Sequence, residues 1–223
     1  MSAVGTYKIA VIGGTGKEGY GLALRWAHAG HSVIIGSRAA EKAQSSADEI
    51  NAALGTSQAS GEVNLDAASQ ADIIVLAVPY AAQKPTAEDI RAALNGKILI
   101  DVTVPLKPPK VNRVSLPNGR SAVEALQEEL GEGVKVVSAF QNVSAHHLTQ
   151  LGHEIDCDVL VCSDDTEAAD LVVGLTEQIG LRAWHAGVLA NSIVSESLTS
   201  VLIALNQRYK VPGAGIRITG IEK

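Results

Sequence analysis

Short apolar runs alternate with amphipathic stretches along almost the whole chain. Strands are predicted where the runs are nearly continuous, at Tyr7–Ile12, Ser32–Ile35, Asp72–Val78, Lys97–Val102 and Lys135–Ala139. Helices are predicted between them, at Lys17–Ala29, Ala39–Leu54, Ala81–Leu94 and Ser121–Leu130. Nearly continuous apolar strands separated by helices are typical of a parallel sheet covered on both faces. The pattern therefore predicts an α/β fold of the Rossmann type with a doubly wound, mainly parallel sheet.

The rhythm changes after about residue 150. A second strand–helix–strand set is predicted at Asp158–Cys162, Thr166–Ile179 and Leu181–Trp184. One long helix is predicted over Gly187–Tyr209, followed by a Gly-rich end whose Ile-Arg-Ile-Thr run, 216–219, reads as a strand. We therefore predict a nucleotide-binding domain at 1–150 and a smaller C-terminal helical and α/β portion at 151–223, which completes a second binding cleft.

Two stripes run along the predicted last helix. Val194, Leu198, Val201 and Leu205 form an apolar stripe at helical spacing. Beside it runs a polar stripe of Ser192, Ser195, Glu196 and Thr199. The stripe holds one charge and several small hydroxyls, which favours the wall of a ligand pocket, although a solvated face is the alternative. We predict that Ser195, Glu196 and Thr199 contact a second ring-shaped ligand.

Composition limits the functional classes. Apolar residues make up 46% of the 223 residues, aromatic residues 3%, and the formal net charge is −6. An acidic chain with few aromatic side chains argues against nucleic-acid binding and a basic membrane-binding face. The beginning of the chain does not resemble a signal peptide, and its two cysteines read as free thiols. The expectation is a cytoplasmic protein with no nucleic-acid or membrane partner.

The segment after the first strand carries the strongest motif. Gly14, Gly16 and Gly19 satisfy G-x-G-x-x-G, with Thr15, Lys17 and Glu18 between them. The motif lies between a strand and a helix, where the first glycine permits a tight turn and the second lets the backbone approach a pyrophosphate. The third glycine allows close packing of helix on strand. The helix N-terminus then stabilises the anion, so this turn predicts a dinucleotide site.

The end of the second strand indicates which dinucleotide binds. Sites that prefer NAD place a carboxylate there to bind the ribose 2′-hydroxyl, whereas this chain has Ser37 and Arg38, with Lys42 one helical turn further on. A hydroxyl and two cations suit a 2′-phosphate. The sequence therefore predicts NADP as the cofactor.

From these motifs onward the chain resembles a known family along essentially its whole length, the NADPH-dependent reductases of coenzyme F420, an 8-hydroxy-5-deazaflavin. The blocks that carry the likeness are 13–16, 36–38, 77–80, 104–105, 138–145, 161–165, 191–192 and 196–199. The resemblance implies hydride transfer between the nicotinamide C4 and the deazaflavin C5, by ring stacking and without a covalent intermediate. It also allows a homodimer.

The resemblance assigns candidate residues. Positions matching Thr15, Ser37, Arg38 and Lys42 hold the phosphate end of NADP, and those matching Val78, Pro79, Val104 and Pro105 lie by the rings. Within the matching blocks, Ala77, Gln141, Val143 and Ala145 are further cofactor-binding candidates. Because no nucleophile–base pair stands out and His146-His147 lacks metal-ligand spacing, no catalytic side chain and no metal ligand are predicted.

The residues near the second ring leave two hydride acceptors open. Some family members have His where this chain has Gln141, and Pro where it has Ser144. The form found here also resembles the cytosolic domain of membrane metal reductases, which pass hydride from NADPH to a flavin. A flavin reductase, or a flavin-mediated metal reductase, is the alternative. A carbonyl or imine reductase would need a proton donor, for which Tyr80 is the evident candidate. A non-catalytic NADP-binding redox sensor is an alternative of another class.

Overall fold

The computed structural model describes residues 5–221, so the outermost ends of the two predicted domains lie outside the described residues. Eight strands and eight α-helices occur in the described part of the chain. The strands are β1 Lys8–Ile12, β2 Ser32–Ser37, β3 Ala59–Val63, β4 Ile73–Leu76, β5 Ile98–Asp101, β6 Lys135–Ser138, β7 Asp158–Val161 and β8 Arg182–His185. The helices are α1 Lys17–His28, α2 Ala40–Leu54, α3 Asn64–Gln70, α4 Tyr80–Asp89, α5 Ala122–Leu130, α6 Ala145–Leu148, α7 Thr166–Gln178 and α8 Ser192–Tyr209.

Six strands form one parallel sheet in the order β3-β2-β1-β4-β5-β6. Alternate residues of β1 enter two different apolar clusters: Ile9 and Val11 pack with α1, α2 and α7, and Ala10 and Ile12 pack with α3, α4 and α5. Helices therefore cover both faces of the sheet, and the predicted doubly wound Rossmann-type fold is confirmed.

The second sheet is small. Strands β7 and β8 pair in parallel, and a single antiparallel bridge between Ser138 and Cys162 joins this pair to the end of β6. Helix α7 packs across the junction, where the Trp26 indole donates to the Leu175 carbonyl at 3.3 Å. The apolar cluster on this face contains residues from both sides of residue 150. The two predicted portions thus share one core.

Arg25 connects α1 by hydrogen bonds to the end of α6 and to the segment that follows it. The guanidinium is buried and donates to the carbonyl oxygens of His147, Leu148, Gln150 and His153, and to that of Ile179. A buried cation without a carboxylate is costly unless its N–H groups are hydrogen-bonded, and here each of the three guanidinium nitrogens donates to at least one backbone carbonyl.

The sequence patterns do not predict three of the observed elements, and two predicted elements differ from the structure. The patterns miss β3, α3 and α6, which are short or largely polar. The long helix begins at Ser192 rather than Gly187, because Gly187 has a positive φ of 97°, Val188 is extended and Leu189–Asn191 form a 3₁₀ turn. Residues 216–219 are not a strand: they are held by a single main-chain bond from Asp158 to Ile216 and by the Asp158 side chain.

Candidate functional site

The glycine turn leaves an open cradle between β1 and α1. Positive φ at Gly13 (82°) starts the turn, and Gly16 N donates to Gly13 O at 3.0 Å. A Cβ at Gly14 would lie 2.8 Å from Val11 O, and one at Gly19 would lie 2.8 Å from Gly13 O, so packing requires both glycines. A Cβ at Gly16 would meet only Gly13 O at 3.4 Å. The space at Gly16 is therefore free for a ligand.

Helix α1 begins at this turn without a side-chain cap on its N-terminus. Its first N–H groups are thus available to an anion, and the helix dipole favours negative charge there. The uncapped start and the open face of Gly16 together fit a pyrophosphate. Thr15 and Lys17 are exposed at the same turn.

The predicted 2′-phosphate residues lie one strand away. Strand β2 pairs with β1 in register, with Ile12 opposite Gly36, so Ser37 and Arg38 lie beside the glycine turn. Lys42 is in the first turn of α2, and Arg38 and Lys42 are exposed. Neither cation forms an ion pair with another residue between 5 and 221. The acidic Glu41 next to Lys42 is also exposed.

A cleft of about 430 Å³ opens beside the turn, at the carboxyl ends of β4, β5 and β6. Ligands of open α/β folds bind at this edge of the sheet. Eleven predicted residues line it: Gly16, Lys17, Glu18, Ala77, Val78, Pro79, Val104, Gln141, Val143, Ala145 and Thr199. Pro105 is buried next to the lining residue Val104. The structure thus brings the glycine turn and most of the predicted ring-side residues to one cleft.

Helix α8 buries part of its predicted polar stripe and exposes part of its predicted apolar stripe. Val194 and Val201 of the apolar stripe are 56% and 47% exposed, whereas Ser195 and Glu196 are buried. The expected solvated alternative for the polar stripe is therefore wrong for these two residues. The helix packs its polar side inward and presents its apolar side at the surface.

The prediction that the whole polar stripe contacts a ligand is also corrected. Ser195 bonds the Ser192 carbonyl within the helix. The Glu196 carboxylate accepts from the Ser121 hydroxyl at 2.6 Å and from the amides of Ala122 and Val123. Glu196 therefore caps the start of α5, where unpaired N–H groups attract a carboxylate. Of the three predicted residues, only Thr199 reaches the cleft, and it donates to the Gln141 carbonyl at 2.7 Å.

Two buried amides in the cleft wall hold unused acceptors. Gln141 donates its Nε2 to the Asp101 carbonyl at 2.8 Å, and Asn142 donates its Nδ2 to the Asp158 carbonyl at 2.8 Å. These bonds fix both amide orientations. Gln141 Oε1 and Asn142 Oδ1, each on a residue only 3% exposed, receive no hydrogen bond from the described part of the chain. Buried acceptors without donors are costly, so they fit a ligand that carries N–H groups.

Sequence patterns missed several parts of this wall. Asn142 and Thr103 line the cleft, and Thr103 has a buried hydroxyl oxygen with no partner among residues 5–221. Leu202, Ile203 and Asn206 of α8 and Ala214 beyond it complete the far side. The block 138–145 contains Asn142, so the resemblance could have indicated it; the α8 residues at i+3 and i+7 from Thr199 follow from helical spacing.

Two carboxyl groups lie at the base of the cleft. Asp101 ends β5 fully buried, accepting from Gln83 Nε2 at 2.6 Å and from Thr103 N at 2.8 Å. Burial raises its pKa, against those hydrogen bonds. Glu18, in the first turn of α1, lines the cleft; burial and then the nearby Asp101 carboxyl raise its pKa from 4.5 to about 8. Glu18 is half-buried at the cleft, and the raised pKa favours its protonated form near neutral pH.

Other chemistry is limited in the described chain. No group of three His, Cys, Asp or Glu side chains between residues 5 and 221 could hold a metal ion. Cys157 and Cys162 are free and buried, and burial raises the pKa of both thiols. By length and composition alone, Leu189–Tyr209 could cross a membrane, but it is the packed helix whose polar side is buried.

Comparisons with known proteins agree on one family. Residues 8–105 match the family described as NADP oxidoreductase, coenzyme F420-dependent. An F420-dependent NADP reductase of Methanothermobacter thermautotrophicus is 44% identical, over 99% of this chain and 98% of that protein. The crystal structure of an Arthrobacter protein assigned as an F420-dependent NADP reductase superposes with a TM-score of 0.79 at 26% identity, covering 96% of this chain and 99% of that one. Rat metalloreductase STEAP3 is 27% identical over 92% of this chain, which spans 38% of that protein.

Proposed function

The chain belongs to the family of F420-dependent NADP reductases, and from that premise we propose that its cleft transfers a hydride directly between NADPH and coenzyme F420. The observation that carries the proposal is the cleft itself. It joins an open glycine turn, which suits a pyrophosphate, to a ring-sized space. The side-chain oxygens of Gln141 and Asn142 in its wall accept no hydrogen bond from the described residues. The chain is an oxidoreductase, and NADP and F420 are its two substrates.

NADP would be held at three points. The turn Gly14–Gly19 and the N-terminus of α1 would bind the pyrophosphate, and Ser37, Arg38 and Lys42 would bind the 2′-phosphate. Two cations that form no ion pair among residues 5–221 supply charge there without the cost of breaking an existing pair. The apolar side chains of Val78, Pro79, Val104 and Val143 would pack against the nicotinamide, with Ala77, Pro105 and Ala145 close behind them.

When bound, the two cofactors supply the hydride chemistry themselves. The protein's contribution is to hold two flat rings at contact distance and to keep water out. Gln141 is held at two points, since its side-chain Nε2 donates to the Asp101 main-chain carbonyl and its main-chain carbonyl accepts from the Thr199 hydroxyl. The fixed Oε1 would orient an N–H edge of a ring.

The second portion of the chain would complete this cleft. Thr199, Leu202, Ile203, Asn206 and Ala214 of 151–223 line one side, opposite the glycine turn. This placement supports the proposal that 151–223 completes the cleft of the nucleotide-binding part at 1–150, with which it shares one apolar core. A flavin reductase is the weaker candidate, since the match to a metalloreductase covers a minor part of that protein at lower identity.

The exposed apolar stripe of α8 supports a homodimer. Val194, Val201 and Leu205 are 56%, 47% and 38% exposed along one side of the helix. A twofold pairing of the same helix would bury the stripe of both copies without opposing like charges. Sedimentation equilibrium would show the mass of the assembly. A cytoplasmic location fits the buried free thiols and the burial of the polar side of α8.

The cofactor assignment is tested by removing the guanidinium that would bind the 2′-phosphate. Charge-assisted contacts are worth about 1.5–3 kcal/mol, so Arg38→Ala should weaken NADPH binding by roughly ten- to a hundredfold. NADH binding should hardly change, because NADH lacks the 2′-phosphate. Arg91→Ala, another exposed arginine distant in sequence, is the matched control. Titration calorimetry with both cofactors measures the effect, and equal losses for NADPH and NADH would overturn the assignment.

A further inference from the structure

The cleft wall contains few groups that can gain or lose a proton. Of its lining residues, Lys17, Glu18 and Tyr80 are titratable. The Asp101 carboxyl is close enough to Glu18, and to Glu196 on α8, for its charge to raise the pKa of each. Lys17 is exposed, and no residue between 5 and 221 forms an ion pair with Glu18, Asp101 or Glu196. Glu18 thus lines the cleft, the buried Asp101 lies near both Glu18 and Glu196, and none of the three has a paired cation among residues 5–221.

Such an arrangement disfavours a full set of negative charges. Burial penalises each ionised carboxylate, and the Asp101 carboxyl further disfavours ionisation of Glu18 and of Glu196. Glu196 is satisfied by a hydroxyl and two amides, and Asp101 by an amide side chain and one backbone N–H. Glu18 accepts no hydrogen bond from the described residues and is the one that faces the cleft. It is therefore the carboxyl that a ligand can reach.

The proposed reaction consumes one proton, which a protonated carboxyl in the cleft can supply. Hydride transfer from NADPH to the deazaflavin turns the neutral nicotinamide into a cation, and the reduced deazaflavin takes up one proton. We propose, resting on the function proposed above, that Glu18, backed by the buried Asp101, holds this proton and exchanges it with the deazaflavin during turnover. This would make Glu18 the proton-holding residue of the cleft.

The step balances in atoms and charge. A proton and two electrons leave C4 of the nicotinamide as hydride and form the new C–H bond at C5 of the deazaflavin. The electron pair displaced within the deazaflavin ring forms an N–H bond with the proton from the Glu18 carboxyl, directly or through water. The nicotinamide becomes +1 and Glu18 becomes −1, so the net charge of the cleft does not change. Water restores the Glu18 proton, and the reverse reaction uses the same groups in the opposite order.

Charge conservation has a consequence that needs no turnover. The cation of NADP⁺ stabilises ionised Glu18, whereas neutral NADPH does not, so NADP⁺ binding should release more protons than NADPH binding. The 2′-phosphate contributes equally to both cofactors, and its effect cancels in the difference. Because the pKa of Glu18 is about 8 in the free protein, the difference should be largest between about pH 6 and 8.

The test compares proton release for the two cofactors in the full chain. Calorimetry in buffers of different ionisation enthalpy should show that NADP⁺ releases a fraction of a proton more than NADPH at pH 7. Glu18→Gln keeps the shape of the side chain but cannot ionise, so the difference should vanish and kcat for F420 reduction should fall about a hundredfold. Glu132→Gln, the same change at an exposed position outside the cleft, should behave as the unaltered protein.

A second variant covers failure of the first to fold. Asp101→Asn removes the charge beneath Glu18, so the infrared carboxyl band of Glu18, read in the cofactor-free protein, should titrate at lower pH. An unchanged proton difference in Glu18→Gln, or an unshifted band in Asp101→Asn, would overturn the role of Glu18 while leaving the reaction intact. Failure of the unaltered protein to bind NADP(H) or reduce F420 would instead overturn the proposed function.

Discussion

Asp101 and Asp158 are both fully buried carboxyl groups at strand ends, yet their pKa values shift in opposite directions. Asp158, at the start of β7, accepts from two arginines, the Trp184 indole and the Ile218 amide. Burial alone would raise its pKa, but these bonds outweigh it and hold the pKa well below the usual range. Asp101 has one side-chain amide and one backbone amide, and its pKa is raised. The number and charge of the donors therefore decide whether the pKa of a buried carboxyl is lowered, as in Asp158, or raised, as in Asp101.

The largest expected effect is at Asp158. Asp158→Asn would leave Arg182 and Arg217 without their shared carboxylate, and the fold should lose about 3 kcal/mol. Both arginines keep about a third of their surface exposed, which places the loss at the lower end for a broken buried pair. Denaturant unfolding at pH 7 measures it. Asp156→Asn, which removes an exposed carboxylate from the same Arg217, is the control and should cost less than about 1 kcal/mol.

The stability that Asp158 contributes should depend on pH. The pKa of folded Asp158 lies below its unfolded value, so its contribution is present above about pH 4 and is lost as the pH falls further. The destabilisation by Asp158→Asn should therefore shrink below pH 4. A constant difference from pH 7 to pH 3 would show that ionised Asp158 is not what holds the network.

A smaller loss of stability is expected when one hydrogen-bond donor to Asp158, the Trp184 indole, is removed. Trp184 Nε1 donates to Asp158 Oδ2 at 2.8 Å, and Trp184→Phe removes this bond while the other donors remain. Stability should fall by about 1 kcal/mol at pH 7. In the Asp158→Asn background the same change should cost less, because its charged acceptor is gone. Chemical denaturation of the four proteins gives the coupling, and strict additivity would contradict a specific Trp184–Asp158 bond.

The smallest effect on stability is expected at Asp101, where the substitution should stabilise the fold instead of destabilising it. The folded pKa is raised, so ionisation of Asp101 costs stability as the pH rises above about 4. Asp101→Asn should leave stability unchanged at pH 4 and raise it by up to about 1 kcal/mol at pH 8. Gln83 can accommodate the change by rotating its amide, since its Oε1 lacks a partner among the described residues. Thermal unfolding at both pH values, with the exposed Asp89→Asn as control, measures this; a large loss would show that Asp101 is structural.

The first half of the chain was predictable because its signals are local. The strand, glycine turn and helix at 8–28 lie in one short stretch, and the apolar strands β1, β4 and β5 leave little ambiguity. Strand β3 was not, because Ala59–Val63 is a largely polar edge strand whose glycine packs against α2. An edge strand needs apolar residues on fewer sides, so its sequence carries a weaker pattern.

The site was predictable where it depends on backbone and was not where it depends on contacts between distant segments. Gly16 and Pro79 reach the cleft as expected. The carboxylate of Glu196 does not, because Ser121 and the start of α5, about 75 positions earlier, bind it. Asn142 gains its role from the Asp158 carbonyl that fixes its amide. Helical spacing identifies a stripe, but only the packing of other elements determines which stripe is buried.

The cap that Glu196 provides to α5 also bears on how the protein is made. Translation releases α5 long before α8, so a nascent chain that ends near residue 150 lacks the carboxylate that binds Ala122 N and Val123 N. It also lacks Thr199, which holds Gln141, and the α8 side of the cleft. The sheet can form early, but the ring site is finished only when the last helix leaves the ribosome. A truncated product would therefore retain a glycine turn without a working cleft.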